Sequence, residues 1–223
     1  MRCCVGVLGN IAGHCDELTN IVITSGAVQP LTRFFMNLDT EDRSMLKKFL
    51  FAIMNLCKFG SAPKQDVIKS VLPCLSKLIQ HSNTIVVELA LCGLSYLVDK
   101  DELITNSVIE AGLVSKLVSL LDKDMDDERD IQSEAPGVLL DVTAWTTEQN
   151  RAVGDAGAVP YLICLLDSDD GRLVKRCVLT LRNIAFDGDE LRDIVISTGA
   201  IQPLTRLVMS LGHERSSSQF CRV

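Results

Sequence analysis

The chain has 223 residues, of which 47% are apolar and only 4% aromatic, and its formal net charge is −7. Such a length admits one large domain or an array of repeats, and the scarcity of aromatic side chains requires a core of Leu, Ile, Val and Ala. The acidic balance argues against a protein that holds nucleic acid through its phosphates, because such proteins are normally basic. It suits a basic partner, although a modest negative charge is also common on soluble surfaces.

The nine cysteines and three histidines show no spacing typical of a metal site or a redox motif. Most of the cysteines stand in apolar runs, where a free thiol packs as a small hydrophobic group, so we expect a reducing compartment and no disulfides. No apolar run is long enough to cross a membrane. The sequence also has no nucleophile–base pair and no phosphate-binding glycine loop, so we expect no enzyme, cofactor, metal or membrane contact.

Two nearly identical stretches lie near the two ends of the chain. Residues 8–22 read LGNIAGHCDELTNIV and residues 181–195 read LRNIAFDGDELRDIV, and the match continues beyond both at a constant offset of 173. This offset is about four times 43, which predicts intermediate copies. A recurring marker residue supplies them at intervals of 44, 42, 45 and 42 residues. The markers are Gly26, Ser70, Gly112, Gly157 and Gly199.

Each unit predicts three helices in the same order. In the first complete unit, DELTNIVITS begins with acidic residues that suit a helix N-terminus, and Gly26 then turns the chain into a second helix. The third helix, RSMLKKFLFAIMNLC, has apolar residues at i, i+3, i+4 and i+7. The charged insertions LDTEDRS and DKDMDDERD are predicted surface turns. The pattern is typical of an all-α, armadillo-type solenoid with three helices per 42–45 residues.

The units resemble those of importin-α, the nuclear-import adaptor family. The resemblance lies in LGNIAGHCDELTNIVITSGAVQPL, in ELALCGLSYLVDKDELITNSVIEAGLVSKLVSLL and in TTEQNRAVGDAGAVPYLICLL, and it runs from about residue 5 to residue 211. It implies a right-handed solenoid and an adaptor of cytoplasm and nucleus, which binds the Lys/Arg-rich localisation signals of cargo proteins. The alternative is an armadillo scaffold that binds another extended peptide and is no longer a transport receptor.

In that family the third helices line a concave groove, where an Asn binds the main chain of the peptide. A Trp four residues earlier contacts the stems of Lys and Arg. The positions that match the Asn hold Asn10, Asn55, Tyr96, Asp141 and Asn183. The positions that match the Trp hold Gly6, Phe51, Cys92, Gly137 and Leu179, none of which is Trp. The resemblance therefore implies a peptide-binding set with a weakened groove, consisting of Asn10, Phe51, Asn55, Tyr96, Asn183 and Asp187.

Several of these residues have a second interpretation. The Asn side chains either hold a peptide or form hydrogen bonds within the stack of helices. Phe51 is either a weak aromatic wall or, as we favour, a core residue, and the single Trp, Trp145, is predicted to cover a junction between repeats. His14 replaces an acidic residue that grips a lysine in the family. The acids of one turn, Asp99, Asp101 and Glu102, either attract basic peptide or, as we favour, are simply solvated.

The ends of the sequence lead to three further expectations. Nothing resembles the basic segment by which the family binds importin-β, so we expect this chain neither to bind importin-β by that route nor to block its own groove. The first and last units are uncapped apolar half-units, which predicts a shortened protein prone to self-association. We expect a solenoid over residues 1–212, with four full repeats between two partial ones, and a disordered tail over residues 213–223.

Overall fold

A computed structural model describes residues 2–37, 42–58, 64–98, 102–122 and 129–219. Within these ranges the chain forms fourteen α-helices, a 3-10 turn at Leu165–Asp167 and no strand, which confirms the all-α prediction. The helices are α1 Arg2–Ala12, α2 Asp16–Thr24, α3 Val28–Met36, α4 Arg43–Lys58, α5 Lys64–Ile79, α6 Thr84–Val98, α7 Glu102–Glu110, α8 Leu113–Leu121, α9 Arg129–Val142, α10 Thr147–Asp155, α11 Ala158–Cys164, α12 Gly171–Phe186, α13 Asp189–Ser197 and α14 Ile201–Gln219.

The third helix of each repeat packs against the third helix of the next. Contacts run from α1 to α4, from α4 to α6, from α6 to α9 and from α9 to α12. We call these five helices the third-helix layer. The first helices follow a parallel course, since α10 contacts both α7 and α13. This arrangement of stacked three-helix units is an armadillo solenoid, as the sequence predicts.

The turn between the first and second helix of a repeat depends on glycine. The backbone φ angle is +75° at Gly26, +69° at Gly112 and +79° at Gly157, a left-handed conformation that other residues rarely adopt. Ser70 stands at this position in the second complete repeat, and there the expected break is wrong: α5 is one continuous helix from Lys64 to Ile79. A serine resists positive φ, so the helix continues through it.

The core is built from Leu, Ile, Val and Ala, with few aromatic rings among them. Phe35 and Phe49 form one stacked pair, with ring centroids 4.0 Å apart. Buried threonines join the helices at two equivalent places. The hydroxyl of Thr19 donates to the carbonyl of Ala12 at 2.5 Å, and that of Thr105 donates to the carbonyl of Val98 at 3.3 Å. Each bond ties a first helix to the end of the preceding third helix.

The last helix extends further than expected. The backbone of α14 is helical through Gln219, whereas the sequence led us to expect no helix beyond residue 212. No proline follows Pro203 to end the helix. Most of the two charged insertions, together with Asp99 and Asp101, lies outside the described residues. Within the described ranges no single helix is long and apolar enough to cross a membrane; α7 and α8 pass that test only as a pair, bent by 79°.

Candidate peptide-binding site

The third-helix layer exposes two residues at the positions where the family has Trp. Phe51 on α4 is 48% exposed, so its interpretation as a core residue is wrong. Its ring lies against α1, because a Cβ atom added at Gly9 would stand 3.3 Å from Cδ1 of Phe51. Cys92 on α6 is also exposed. Both positions are therefore available to a partner, and their role in binding one stays a prediction.

Three of the five positions that match the family's Asn form hydrogen bonds to the neighbouring repeat. The Nδ2 atom of Asn55 on α4 donates to the carbonyl of Gly9 on α1 at 3.0 Å. Ser95 Oγ on α6 donates to Oδ2 of Asp141 on α9 at 2.5 Å. Asn183 on α12 donates to Thr143 Oγ1 at 3.3 Å. The interpretation as bonds within the stack therefore applies to Asn55 and Asn183.

The remaining predicted residues differ in exposure. Asn10 is exposed on α1, and Tyr96 is half-buried on α6. Neither lies on the same helix as Asp187, which follows α12, the fifth helix of the layer counted from α1. His14 is exposed after α1, and Glu102 begins α7. Of the predicted set, only Asn183 and Asp187 are brought into one pocket.

That pocket has a volume of about 470 Å³ and lies where α9 and α12 end and α10 begins. Two aromatic side chains flank it: Trp145 is 47% exposed and Phe186 is 83% exposed. The prediction that Trp145 simply covers a junction misses this role, because almost half of its surface faces outward. The lining residues are Thr143, Ala144, Trp145, Asn150, Arg182, Asn183, Phe186 and Asp187. We call this cavity the aromatic pocket.

Asn150 departs from the repeat at this pocket. It stands where other first helices carry Thr19 and Thr105, but it bonds forward to the next third helix, since its Nδ2 donates to Oδ2 of Asp187. A carboxylate only accepts hydrogen bonds, which fixes the orientation of the Asn150 amide. The Oδ1 atom of Asn150 is then left buried without a hydrogen-bond partner, in a residue that is 4% exposed.

The chemistry of the aromatic pocket favours a cationic donor. Exposed ring faces attract ammonium and guanidinium groups, the carboxylate of Asp187 supplies the opposite charge, and a buried amide oxygen without a donor is costly until one arrives. Arg182 lies on the rim, where its guanidinium donates to Oδ1 of Asn183 at 3.0 Å. Arg182 is thereby held beside the pocket by a neutral group, and it forms no ion pair with Asp187 among the described residues.

Sequence reasoning missed the part of Asn150 and Phe186 in this site. Phe186 gives no signal of its own, because a single Phe at a helix end is ordinary. Asn150 does give a signal, because two earlier repeats have a threonine, Thr19 or Thr105, at its position. A buried amide at a position where two other repeats have a buried hydroxyl marks a place where the bonding between helices differs.

The surroundings of Cys74, Cys92 and Cys177 raise the pKa of these three thiols. Burial raises the pKa of Cys74 to about 11 and that of Cys177 to about 12, so both stay protonated at neutral pH. The exposed side chain of Cys92 still loses part of its contact with water to its neighbours, and this desolvation is the main cause of its raised pKa, followed by the nearby carboxylate of Glu134. No group of three or more His, Cys, Asp or Glu side chains suited to a metal ion occurs in the described part of the chain.

Comparisons with known proteins define the class. Residues 60–99 and 146–186 match the armadillo/beta-catenin-like repeat. A designed armadillo repeat protein in complex with the peptide (KR)4 superimposes with a TM-score of 0.78 and 26% identity, covering 91% of this chain and 83% of that one. A second designed armadillo repeat protein gives a TM-score of 0.76 at 26% identity, covering 92% and 84%. The chain is an armadillo-repeat protein.

Within that class its relatives are importin-α subunits. The chain is 31% identical over 180 residues to importin subunit alpha-8 of Arabidopsis thaliana, covering 78% of this chain and 37% of that protein. It is 28% identical over 172 residues to importin subunit alpha-1b of Oryza sativa subsp. japonica, covering 77% and 31%. The predicted kinship with importin-α is confirmed, and the chain spans about a third of the length of these relatives.

Proposed function

We propose that the third-helix layer binds an extended, Lys/Arg-rich segment of a partner protein and that the aromatic pocket takes one of its cationic side chains. The observation that carries this proposal is the pocket itself, in which Trp145 and Phe186 flank the carboxylate of Asp187. A cation–π contact contributes about 0.5–2 kcal/mol, and the carboxylate adds a charge-assisted hydrogen bond. The formal charge of −7 favours the approach of a basic partner.

In the cell this activity is that of an importin-α-like adaptor, which carries proteins with basic localisation signals from the cytoplasm into the nucleus. The importin-α relatives and the shared armadillo fold support this proposal. The similarity to a designed armadillo protein in complex with (KR)4 supports a basic partner. The relatives are adaptors and not enzymes, which agrees with a protein that acts by binding.

A second candidate is an armadillo scaffold that binds another extended peptide without carrying it to the nucleus. The observation that favours it is the absence of Trp at four positions where the family has it, which hold Gly6, Phe51, Cys92 and Leu179. Three or four missing cation–π contacts weaken binding by about 2–6 kcal/mol, so a typical basic signal binds weakly. We also expect the chain itself not to capture importin-β, which a pull-down with purified proteins would check.

Calorimetric titration with a lysine-rich signal peptide and a scrambled peptide of equal charge tests the proposal. We expect the signal peptide to bind more tightly, because only one order of residues places a lysine in the pocket. Asp187→Asn removes the carboxylate charge and should weaken binding about fivefold or more, as the loss of a charged partner costs roughly 1 kcal/mol or more. Asp193→Asn on α13 makes the same charge change at an exposed site and serves as control. Equal binding of both peptides would contradict the proposal.

A further inference from the structure

An ion cluster lies between α9 and α12, away from the aromatic pocket. Glu134 on α9 and Arg176 on α12 form a bidentate ion pair. Nη1 of Arg176 lies 3.2 Å from Oε1 of Glu134, and Nη2 lies 3.3 Å from Oε2. Arg172, one turn earlier, places its Nη2 atom 3.6 Å from the same carboxylate. Glu134 is only 17% exposed and Arg176 only 23%, whereas Arg172 is 62% exposed. The forked pair is therefore largely shielded from water.

Glycine makes room for this guanidinium. A Cβ atom added at Gly137 would stand 2.8 Å from Cζ and 3.0 Å from Nε of Arg176, which is closer than atoms can approach. The Arg176 head group therefore lies directly against the backbone of α9. Gly6 occupies the matching position on α1, and there an added Cβ would meet nothing within 4 Å. The space beside the glycine is therefore open on α1, whereas on α9 an arginine side chain fills it.

We propose that Arg176 fills a cation-binding subsite of the third-helix layer, in which the Glu134 carboxylate is the ligand, and so prevents a lysine or arginine of a partner from binding there. The inference rests on the proposed function, because it names a residue that limits where a basic segment can bind along the third-helix layer. A partially buried carboxylate beside a glycine offers a cation both charge and access. In this chain the cation bound to Glu134 is a side chain of the protein itself, Arg176.

Among the described residues, the charges that act on Cys92 beside this cluster cancel in number. Glu88 on α6 is the other acid that acts on Cys92 next to the cluster, and Arg172 and Arg176 balance the two acids in number. A basic residue arriving here therefore meets no surplus of negative charge. It must displace Arg176, which exchanges one cation for another and yields little net binding energy.

Gly137→Ala tests the inference without changing any charge. The new methyl group takes the place of the guanidinium beside the α9 backbone and forces the flexible end of Arg176 away, which leaves the Glu134 carboxylate open to the smaller ammonium group of a lysine. We expect the lysine-rich peptide to bind about two- to fivefold more tightly, the range that one partly exposed ion pair supplies. Gly6→Ala is the matched control, since it makes the same change at the matching position and displaces nothing. Thermal melting checks that both variants fold.

Arg176→Gln is the second variant, with Lys175→Gln as its control. Lys175 is exposed on the same helix, so its loss changes the net charge equally without freeing Glu134. We expect the larger gain, again about two- to fivefold, for Arg176→Gln. Adding Glu134→Gln should abolish that gain, because the subsite then has no carboxylate. Equal gains for Arg176→Gln and Lys175→Gln would show a general charge effect and overturn the inference.

The outcomes separate this inference from the proposed function. If the unaltered chain binds the lysine-rich peptide through Asp187 but neither Gly137→Ala nor Arg176→Gln tightens binding, the inference alone is wrong. If the unaltered chain does not bind and both variants do, the inference holds and the aromatic pocket is not the binding site. If no variant binds the peptide, both are overturned.

Discussion

Rebuilding an aromatic pair at Phe51 and Cys92 should restore a lysine slot to the third-helix layer. Both side chains are exposed on successive helices of the layer, α4 and α6. With Phe51→Trp and Cys92→Trp, two indole faces would flank the stem of a bound lysine, and the carboxylate of Glu88 acts on the Cys92 position. Two contacts of about 0.7 kcal/mol each give about 1.4 kcal/mol, or tenfold in affinity.

Calorimetry with the lysine-rich peptide measures that gain, and Ile21→Trp is its control, because Ile21 is exposed on a first helix outside the layer. The gain should shrink at high salt, since exposed charges contribute part of the attraction. Unchanged binding together with a lower melting temperature would refute the reasoning. In that case these positions pack against other residues, and the match to the family's Trp positions is wrong.

Three further predictions concern stability. Asn55→Ala should lower the free energy of unfolding by about 1 kcal/mol, because it removes the bond to α1, whereas Asn10→Ala at an exposed position should leave it unchanged; equal effects in denaturant titrations would contradict this. As pH rises from 9 towards 11, the unfolded chain loses the protons of Cys74 and Cys177 before the folded chain does. The free energy of unfolding should therefore fall by about 1 kcal/mol per pH unit for each thiol. Replacing both residues, by Cys74→Ala and Cys177→Ala, should flatten this slope. Gly112→Ala should cost about 1–2 kcal/mol through strain at positive φ alone, since an added Cβ meets no atom there; an unchanged melting curve would count against that origin.

The architecture was predictable because each repeat contacts mainly its neighbours. A fixed spacing of marker glycines and apolar positions then determines the order of helices without knowledge of distant contacts. The same locality explains the error at Ser70. The sequence shows that glycine is missing at this position. Whether the chain still turns there depends on the energy of the local backbone, and the spacing of residues gives no information about that energy.

The binding features were less accessible because they arise between repeats. The contact between Asn150 and Asp187 joins residues 37 positions apart, and the fork between Glu134 and Arg176 joins residues 42 apart. Each residue alone reads as an ordinary polar side chain on a helix. Phe51 shows the same limit: a Phe on an apolar helix is usually buried, whereas this one is exposed even though its ring lies against α1.

Fluorescence of the single Trp of the chain is the most direct test of basic-peptide binding. Trp145 is the only Trp, it lines the aromatic pocket, and its fluorescence therefore reports on that pocket alone. We predict that the lysine-rich peptide changes this fluorescence in a saturable manner, with the dissociation constant found by calorimetry, and that Asp187→Asn shifts both measurements equally. Binding by calorimetry without any change in Trp145 fluorescence, or an equal change with the scrambled peptide, would contradict the account.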